Sequence, residues 1–237
     1  LVKLIDAHDD LSVQVHPNDA YAFAHEGEYG KTEMWYIIDA EPGAELIHGF
    51  RKSITREECR RRIEDGSLME VVKREKVKAG DVVVIPSGTL HAVGKGVFLA
   101  EIQQNSDTTY RVHDYGRLDW DGRPRELHID KALDVLSFEP PELAVGQGIV
   151  LGIFAEYSLT IASRTEFFSV YHFAVQGRCH LQATKVSFQS IVVLQGPMEL
   201  SWAGGKEILE RGDSYFIPAG FGDYLVRGEG AFLLTEV

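Results

Sequence analysis

Short runs rich in valine, isoleucine and aromatic residues recur along the chain, separated by turn residues. "EMWYIID" is followed by "EPGAE", and "GDVVVIPSG" and "VFLAEIQQ" are bounded by glycines. "FFSVYHFAV", "QSIVVLQG", "MELSW", "DSYFIPAG" and "AFLLTEV" follow in the second half. Many short strands punctuated by glycine and proline predict a β-sandwich or barrel. Two stretches depart from that pattern. "SITREECRRRIEDGSLMEVV" predicts a helix, with Thr55 and Glu58 forming a capping box and Gly66 a stop. Its Arg60, Arg61 and Arg62 read either as a basic patch or, interleaved with acids, as a solvated helix face. "RPRELHIDKALDVLSF" predicts a second helix from Leu127, Ala132, Leu133 and Leu136, followed by the Pro/Gly-rich linker candidate "EPPELAVGQG".

The pattern repeats itself once. "GDVVVIPSGTLH" from Gly80 and "GDSYFIPAGFGD" from Gly212 share a turn, a strand, a proline, a small residue and a glycine. Two copies of one β unit are expected. They differ at the end, where His91 of the first falls opposite Asp223 of the second, so the chemistry is expected in the first copy and a structural role in the second.

Composition narrows the classes. The 237 residues are 44% hydrophobic, enough for one large all-β unit or two smaller ones. A net charge of -12 argues against nucleic acid and against anionic membrane surfaces, though a local basic pocket for a small anion is compatible with it. No apolar run approaches the roughly 20 residues of a membrane helix, and no leader of the secretory type is apparent. Cys59 and Cys179 lie far apart in no metal-like spacing and read as free thiols of a cytoplasmic protein. The chain opens at Leu1 on a strand-like "LVKLIDA", from which preceding residues or a shortened form are expected.

Strand alternation then sorts the polar residues. In "DLSVQVHPND", Ser12, Gln14 and His16 share one face, Val13 and Val15 take the other, and Pro17 ends the pairing. In "KTEMWYII", Lys31, Glu33 and Trp35 share a face, and His91 follows "IPSGT" at the mouth of another strand. His16, Glu33 and His91, with Gln14 nearby, make a set whose imidazoles and carboxylate suit zinc, with coordination positions left for water or substrate. Further on, Glu101 shares a face with Gln103, and Arg111 with His113. A glutamate beside a metal could move protons, and a guanidinium could hold a phosphate or a developing oxyanion. Plainer readings stand beside these. The histidines could be ordinary hydrogen-bonded strand-end residues, Glu33 could pair with Lys31, and Glu101 with Arg111 as a buried ion pair.

Together "LSVQVHPND", "GKTEMWYII", "PSGTLHAVGKG" and "EIQQNSDTTYRVHDYGR", in that order across residues 11 to 117, are similar to the type I phosphomannose isomerases (mannose-6-phosphate isomerases), above all to their short bacterial branch. The resemblance implies a mainly β chain of two cupin-like jelly-roll domains. Residues 1–137 would form the metal-binding catalytic domain, with helical insertions at about 54–70 and 124–137; residues 138–163 would be a linker; and residues 164–237 a second, metal-free cupin-like domain that matches only loosely. It implies one zinc ion per chain on Gln14, His16, Glu33 and His91. Arg111 would be the catalytic arginine, Lys31 and Glu101 would line the active site, and Ser12, Lys31 and Arg111 would meet the substrate. The reaction implied interconverts mannose 6-phosphate and fructose 6-phosphate through an enediol, with Glu101 or a zinc-oriented water as base, and a small phosphosugar as the substrate partner, with neither nucleic acid nor membrane. Relatives carry a segment before "LVKLIDA"; without it a sheet edge is left open, which favours association. The oligomeric state has no signature in the sequence. Two rival readings are an Fe(II) cupin oxygenase and a non-catalytic sugar-phosphate-binding cupin fragment.

Overall fold

The computed structural model describes all 237 residues and divides into two compact units, residues 1–146 and 147–237. The first unit opens with β1 (Val2–Asp6), β2 (Val13–Val15) and helix α1 (Asp19–His25), followed by β3 (Glu33–Ala40), β4 (Glu45–Phe50) and α2 (Arg56–Glu64). It continues through β5 (Val72–Lys76), β6 (Val82–Ile85), β7 (His91–Val93), β8 (Val97–Gln103), β9 (Tyr110–His113) and α3 (Ile129–Val135). A four-stranded sheet runs β1-β8-β3-β6 and a five-stranded sheet β5-β4-β7-β2-β9. Every pairing in both is antiparallel.

Two apolar layers hold this unit. One face of the five-stranded sheet (Val13, Val15, Ile47, Phe50, Val72, Ala92, Tyr110, Val112) packs on Cys59 and Ile63 of α2 and on Ala132, Leu133 and Leu136 beside α3. Its other face supplies Leu46 and Val93 to a second cluster with Trp35, Ile37, Val83, Ile85, Val97 and Leu99 of the four-stranded sheet. β3 is thus covered on both faces, and Glu33 through Ile37 are all buried. That is why "EMWYII" reads as a continuous apolar run and not as an alternation.

The first helical insertion spans α2 and a short 3-10 helix at Leu68–Glu70, close to the expected 54–70, whereas the second is shorter than expected. α2 is capped by Thr55, whose hydroxyl accepts from the Glu58 backbone N–H at 3.1 Å, and Gly66 takes a positive φ of 78° just beyond the helix. Arg60, Arg61 and Arg62 pair with Asp130, Asp65 and Glu58 on the outside of the helix, so the solvated-face reading describes them. α3 starts at Ile129 and not near 124, because residues 126–128 are drawn into hydrogen bonds with Arg111.

The second unit comprises β10 (Ile149–Ile153), β11 (Tyr157–Arg164), β12 (Ser169–Ala183), β13 (Gln189–Gln195), β14 (Met198–Trp202), β15 (Gly205–Leu209), β16 (Ser214–Ile217) and β17 (Gly222–Glu236). They form an eight-stranded sheet ordered β10-β11-β12-β17-β13-β16, with β14 and β15 branching from β17. β17 pairs along its whole length with β12 and passes from β14 to β13 halfway. Gly230 sits at that passage, where a Cβ would lie 2.4 Å from the Gln195 carbonyl oxygen, a contact only glycine avoids. Phe173, Val175, Ile191, Val193, Val226 and Phe232 form the core.

The expected linker at 138–163 is corrected. Residues up to Gly146 stay with the first unit through the Ile54–Phe138 and Val82–Gly146 backbone bonds, and β10 and β11 occupy most of the remainder. Pro140, Pro141 and the glycines at 146 and 148 punctuate the chain, but the β-branched residues on either side still pair as strands. No helix is long and apolar enough to cross a membrane.

Candidate metal centre

Strand register places the polar residues of the first unit. Across the five-stranded sheet His48 lies opposite His91, His91 opposite Gln14, and Gln14 opposite Arg111. Directly opposed residues of antiparallel strands share a face, so β4, β7, β2 and β9 contribute one row. In the four-stranded sheet Glu101 of β8 lies opposite both Trp35 of β3 and Lys3 of β1, and Glu33 opposite Gln103. His16 follows β2 directly. Lys31 precedes β3 and is held by its backbone N–H donating to the Pro17 carbonyl at 3.0 Å. Gly30 makes that approach possible: a Cβ there would lie 2.4 Å from the Asn18 carbonyl carbon.

The metal-binding atoms of His16, Glu33 and His91 all lie within 4.8 Å of one another, and all three residues are buried. Each imidazole is oriented by a carbonyl acceptor behind it: His16 Nδ1 donates to Thr108 O at 2.9 Å and His91 Nδ1 to Thr89 O at 2.8 Å. These bonds put the ring protons at Nδ1 and turn the Nε2 lone pairs toward Glu33. His16 Nε2 is 3.6 Å from Glu33 Oε2, and His91 Nε2 is 3.4 Å from Oε1. Lys31 Nζ stands 2.7 Å from Glu33 Oε2, yet off hydrogen-bonding alignment, so neither Glu33 oxygen nor His16 Nε2 has a hydrogen-bond partner. Buried acceptors left in this way are costly in a folded protein. A divalent cation amid them would satisfy all three, and the donor set of two imidazoles and a carboxylate is one that zinc accepts. The residues therefore fit a metal ion.

The electrostatics agree. Burial alone would raise the Glu33 carboxyl, but His16, His91 and Lys31 outweigh it and hold the group well below the usual carboxylate range. Burial pushes the His91 imidazole down to about 3 against the pull of Glu33. An ionised carboxylate and a neutral imidazole are the forms a metal requires.

The other expected residues fall around this trio. Gln14 Nε2 is 3.4 Å from His91 Nε2, and the Ser12 hydroxyl donates to Gln14 Oε1 at 3.3 Å. Lys31 bridges Glu33 to Glu101, whose Oε1 is 3.6 Å from Lys31 Nζ and 3.2 Å from Lys3 Nζ. Glu101 Oε2 accepts from Trp35 Nε1 at 3.2 Å. Arg111 stands one strand beyond Gln14 and pairs with no carboxylate. Its Nη1 donates to the Glu126 carbonyl at 3.0 Å, and its buried Nε has no partner. The expected alternative of a Glu101–Arg111 ion pair is thus corrected: Glu101 is taken by Lys3 and Lys31.

Sequence reasoning passed over Lys3, which also donates to Gln103 Oε1 at 2.6 Å, and His48, fully buried with no side-chain hydrogen-bond partner. Each carried a signal, a polar residue within an apolar strand ("LVKLID", "ELIHGF").

Comparison with known proteins turns this geometry into a family assignment. The family model described as "Mannose-6-phosphate isomerase, cupin domain" matches residues 158–237. It falls on the second unit, which overturns the expectation that this half resembles the family only loosely. The probable mannose-6-phosphate isomerase GmuF of Bacillus subtilis (strain 168) is 42% identical over 240 residues, covering 100% of this chain and 74% of the relative. The mannose-6-phosphate isomerase of Streptococcus mutans is 42% identical over 218 residues, covering 92% of this chain and 67% of that protein. The crystal structure of mannose 6-phosphate isomerase from Bacillus subtilis superposes with a TM-score of 0.91 at 37% identity, over 100% of this chain and 74% of the other. With both units covered by these alignments and the fold reproduced along the whole chain, the protein belongs to the mannose-6-phosphate isomerase family.

Proposed function

We propose that the protein interconverts mannose 6-phosphate and fructose 6-phosphate through an enediol, with one zinc ion held by His16, Glu33 and His91 and completed by Gln14. The observation that carries this reading is the buried Glu33 carboxylate, ion-paired with Lys31 on Oε2 and faced by the Nε2 atoms of two histidines within 4.8 Å of it. Names of relatives at 42% identity supply mannose 6-phosphate as the substrate class, and fructose 6-phosphate is the ketose that a C1–C2 isomerisation of that sugar yields.

Bound there, a divalent ion would supply Lewis acidity toward a carbonyl oxygen. The remaining work falls to the side chains. The reaction moves a proton between C1 and C2 of the open-chain sugar and builds negative charge on oxygen along the way. Arg111, one strand from Gln14 and not neutralised by any carboxylate, meets the anionic substrate with its free donors. Lys31 is held between Glu33 and Glu101 as a second cation beside the reacting carbons. Glu101 accepts from Lys3 on one oxygen and from Trp35 on the other and lies in ion-pair range of Lys31, an arrangement that suits a holder of Lys31 better than a free base. Gln14 would complete the site only with its amide turned over, releasing Oε1 from the Ser12 hydroxyl that now holds it. We place this activity in the cytoplasm: Cys59 and Cys179 are buried and unpaired, and burial raises each thiol to about 11.

The test is metal analysis of the purified chain, followed by isomerisation of mannose 6-phosphate coupled to glucose 6-phosphate formation, with and without a chelator. One zinc per chain and a chelator-sensitive rate are expected. A rate indifferent to chelation would overturn the metal assignment. Oxygen consumption without isomerisation would overturn the reaction.

A further inference from the structure

β9 leaves the site through a hairpin whose only evident purpose is to come back to Arg111. Beyond His113 the chain turns at Tyr115 and Gly116, both in the left-handed region with φ of 54° and 71°, and Arg117 N–H closes the turn on the Asp114 carbonyl at 3.0 Å. A non-glycine residue rarely takes that conformation. Tyr115 is steadied there by the His113 ring, edge-on at 4.7 Å, and by the Arg117 guanidinium 5.6 Å over its face. The two arms then pair through Leu118 and Pro124 and through Asp119 N–H to Arg123 O at 2.7 Å.

Asp114 fastens both arms. Its side chain is only 5% exposed and takes Arg117 from the outgoing arm and Arg125 from the returning one, each through more than one N–H. The next residues deliver three contacts to Arg111. The Glu126 carbonyl accepts from Nη1 at 3.0 Å, His128 Nδ1 accepts from the Arg111 backbone N–H at 3.2 Å, and His128 N–H donates to the Arg111 carbonyl at 2.8 Å. Asp114 also divides the local charge. It neutralises Arg117 and Arg125, leaving Arg111 as the one arginine of the three with no carboxylate. Burial and the two neighbouring arginines weaken the hold of Arg111 on its proton, so the cation is strained by its surroundings and available to an anion.

We propose that Asp114 is a positioning residue for the reaction: by clasping Arg117 and Arg125 it holds the hairpin that fixes the Arg111 guanidinium and keeps that guanidinium unpaired for the anionic substrate. This rests on the reading that Arg111 meets the substrate. Removing the clasp frees two arginines to compete for the same anion and releases the Glu126 carbonyl. Arg125 is held bidentately, Nε on Oδ2 and Nη2 on Oδ1, whereas Arg117 brings both its N–H groups to Oδ1; an amide turns one of the two acceptors into a donor and so breaks the Arg125 fork.

The test is a double-mutant cycle on the metal-loaded full chain with mannose 6-phosphate, using Asp114→Asn, Arg111→Ala and the pair. Asp114→Asn is expected to lower kcat/KM by about 10²-fold, the scale set by misplacing a positioning group by about 1 Å. Metal content should stay unchanged. In the Arg111→Ala background the same change is expected to cost less than about twofold, because its effect passes through Arg111. Equal losses in both backgrounds, or no loss when Arg111 is present, would overturn the proposal. Should Asp114→Asn fail to fold, Arg125→Gln, at a side chain 33% exposed, unclasps the returning arm alone and enters the same cycle with the same expected non-additivity. Unchanged kcat/KM in Arg111→Ala would remove the role of Arg111 itself and the proposal with it, whereas additive losses strike the proposal alone.

Discussion

His91 and Asp223 end the two copies of one sequence pattern, yet they live in opposite surroundings. His91 opens β7 fully buried beside Glu33, whereas Asp223, near the start of β17, is exposed and accepts from Gln182 Nε2 at 2.9 Å. The interiors differ in the same way. Twelve of the buried polar residues lie in the first unit and three in the second, where Phe173 and Phe232 stack at 4.9 Å in a core of Val and Ile. Similar β architecture thus serves two ends. The second unit spends its interior on apolar burial; the first gives up part of that stabilisation to hold unsatisfied ligands in place.

The contrast is sharpest at its two emblematic residues. His91→Ala should abolish metal uptake and turnover, a loss beyond the roughly 10–100-fold typical of an outer-shell partner, while Asp223→Ala should leave both intact and shift stability by no more than about 0.5 kcal/mol. Metal content and far-UV circular dichroism check both. Retained zinc in His91→Ala would erase the distinction. Next in size, Phe232→Ala should destabilise the second unit by about 3–5 kcal/mol in denaturant unfolding, as truncation of a stacked core ring does. Arg111→Ala should keep its metal and lose about 10²–10³-fold in kcat, the usual cost of one charge-stabilising group; loss of metal as well would make Arg111 structural.

Two smaller effects probe the polar interior itself. His48→Leu should change thermal stability by no more than about 1 kcal/mol, because the buried ring has no side-chain hydrogen-bond partner and at most a weak backbone contact at Val84. A marked loss would mean that the imidazole is being used. Acid should weaken the metal-free protein through His91. Its folded-state value of about 3 lies below the ordinary 6.5, so the unfolded chain binds the proton more readily. The stabilising contribution is complete above about pH 6.5 and is lost as pH falls toward 3, by uptake of about one proton on unfolding. A flat profile across that window would mean that the His91 environment is less apolar than described.

Much of this was legible along the chain. Val13 and Val15 alternate with Gln14 and His16, and the structure puts the valines in the helix-backed core and the polar pair on the other face. Thr55 capped its helix as its spacing predicts. What escaped were elements with mixed or weak patterns. β5 ("VKREK") is four-fifths charged because its sheet-edge position leaves it half in water. β10 lies in a stretch read as linker, because prolines and glycines punctuate it and Gly152 interrupts its apolar run. Lys3 and Glu101 are 98 residues apart and meet only through the β1–β8 register.

The sequence by itself determined the local choices: strand or helix, which face of each strand is apolar, and which side chains can bind a metal or an anion. These follow from residue periodicity and side-chain chemistry, which need no partner. Only the tertiary structure decided which of those side chains converge. Register between distant strands brought Glu33 to His16 and His91, gave Glu101 to two lysines, and left Arg111 to the hairpin pinned by Asp114. Those outcomes depend on long-range backbone pairing, and no local pattern encodes it.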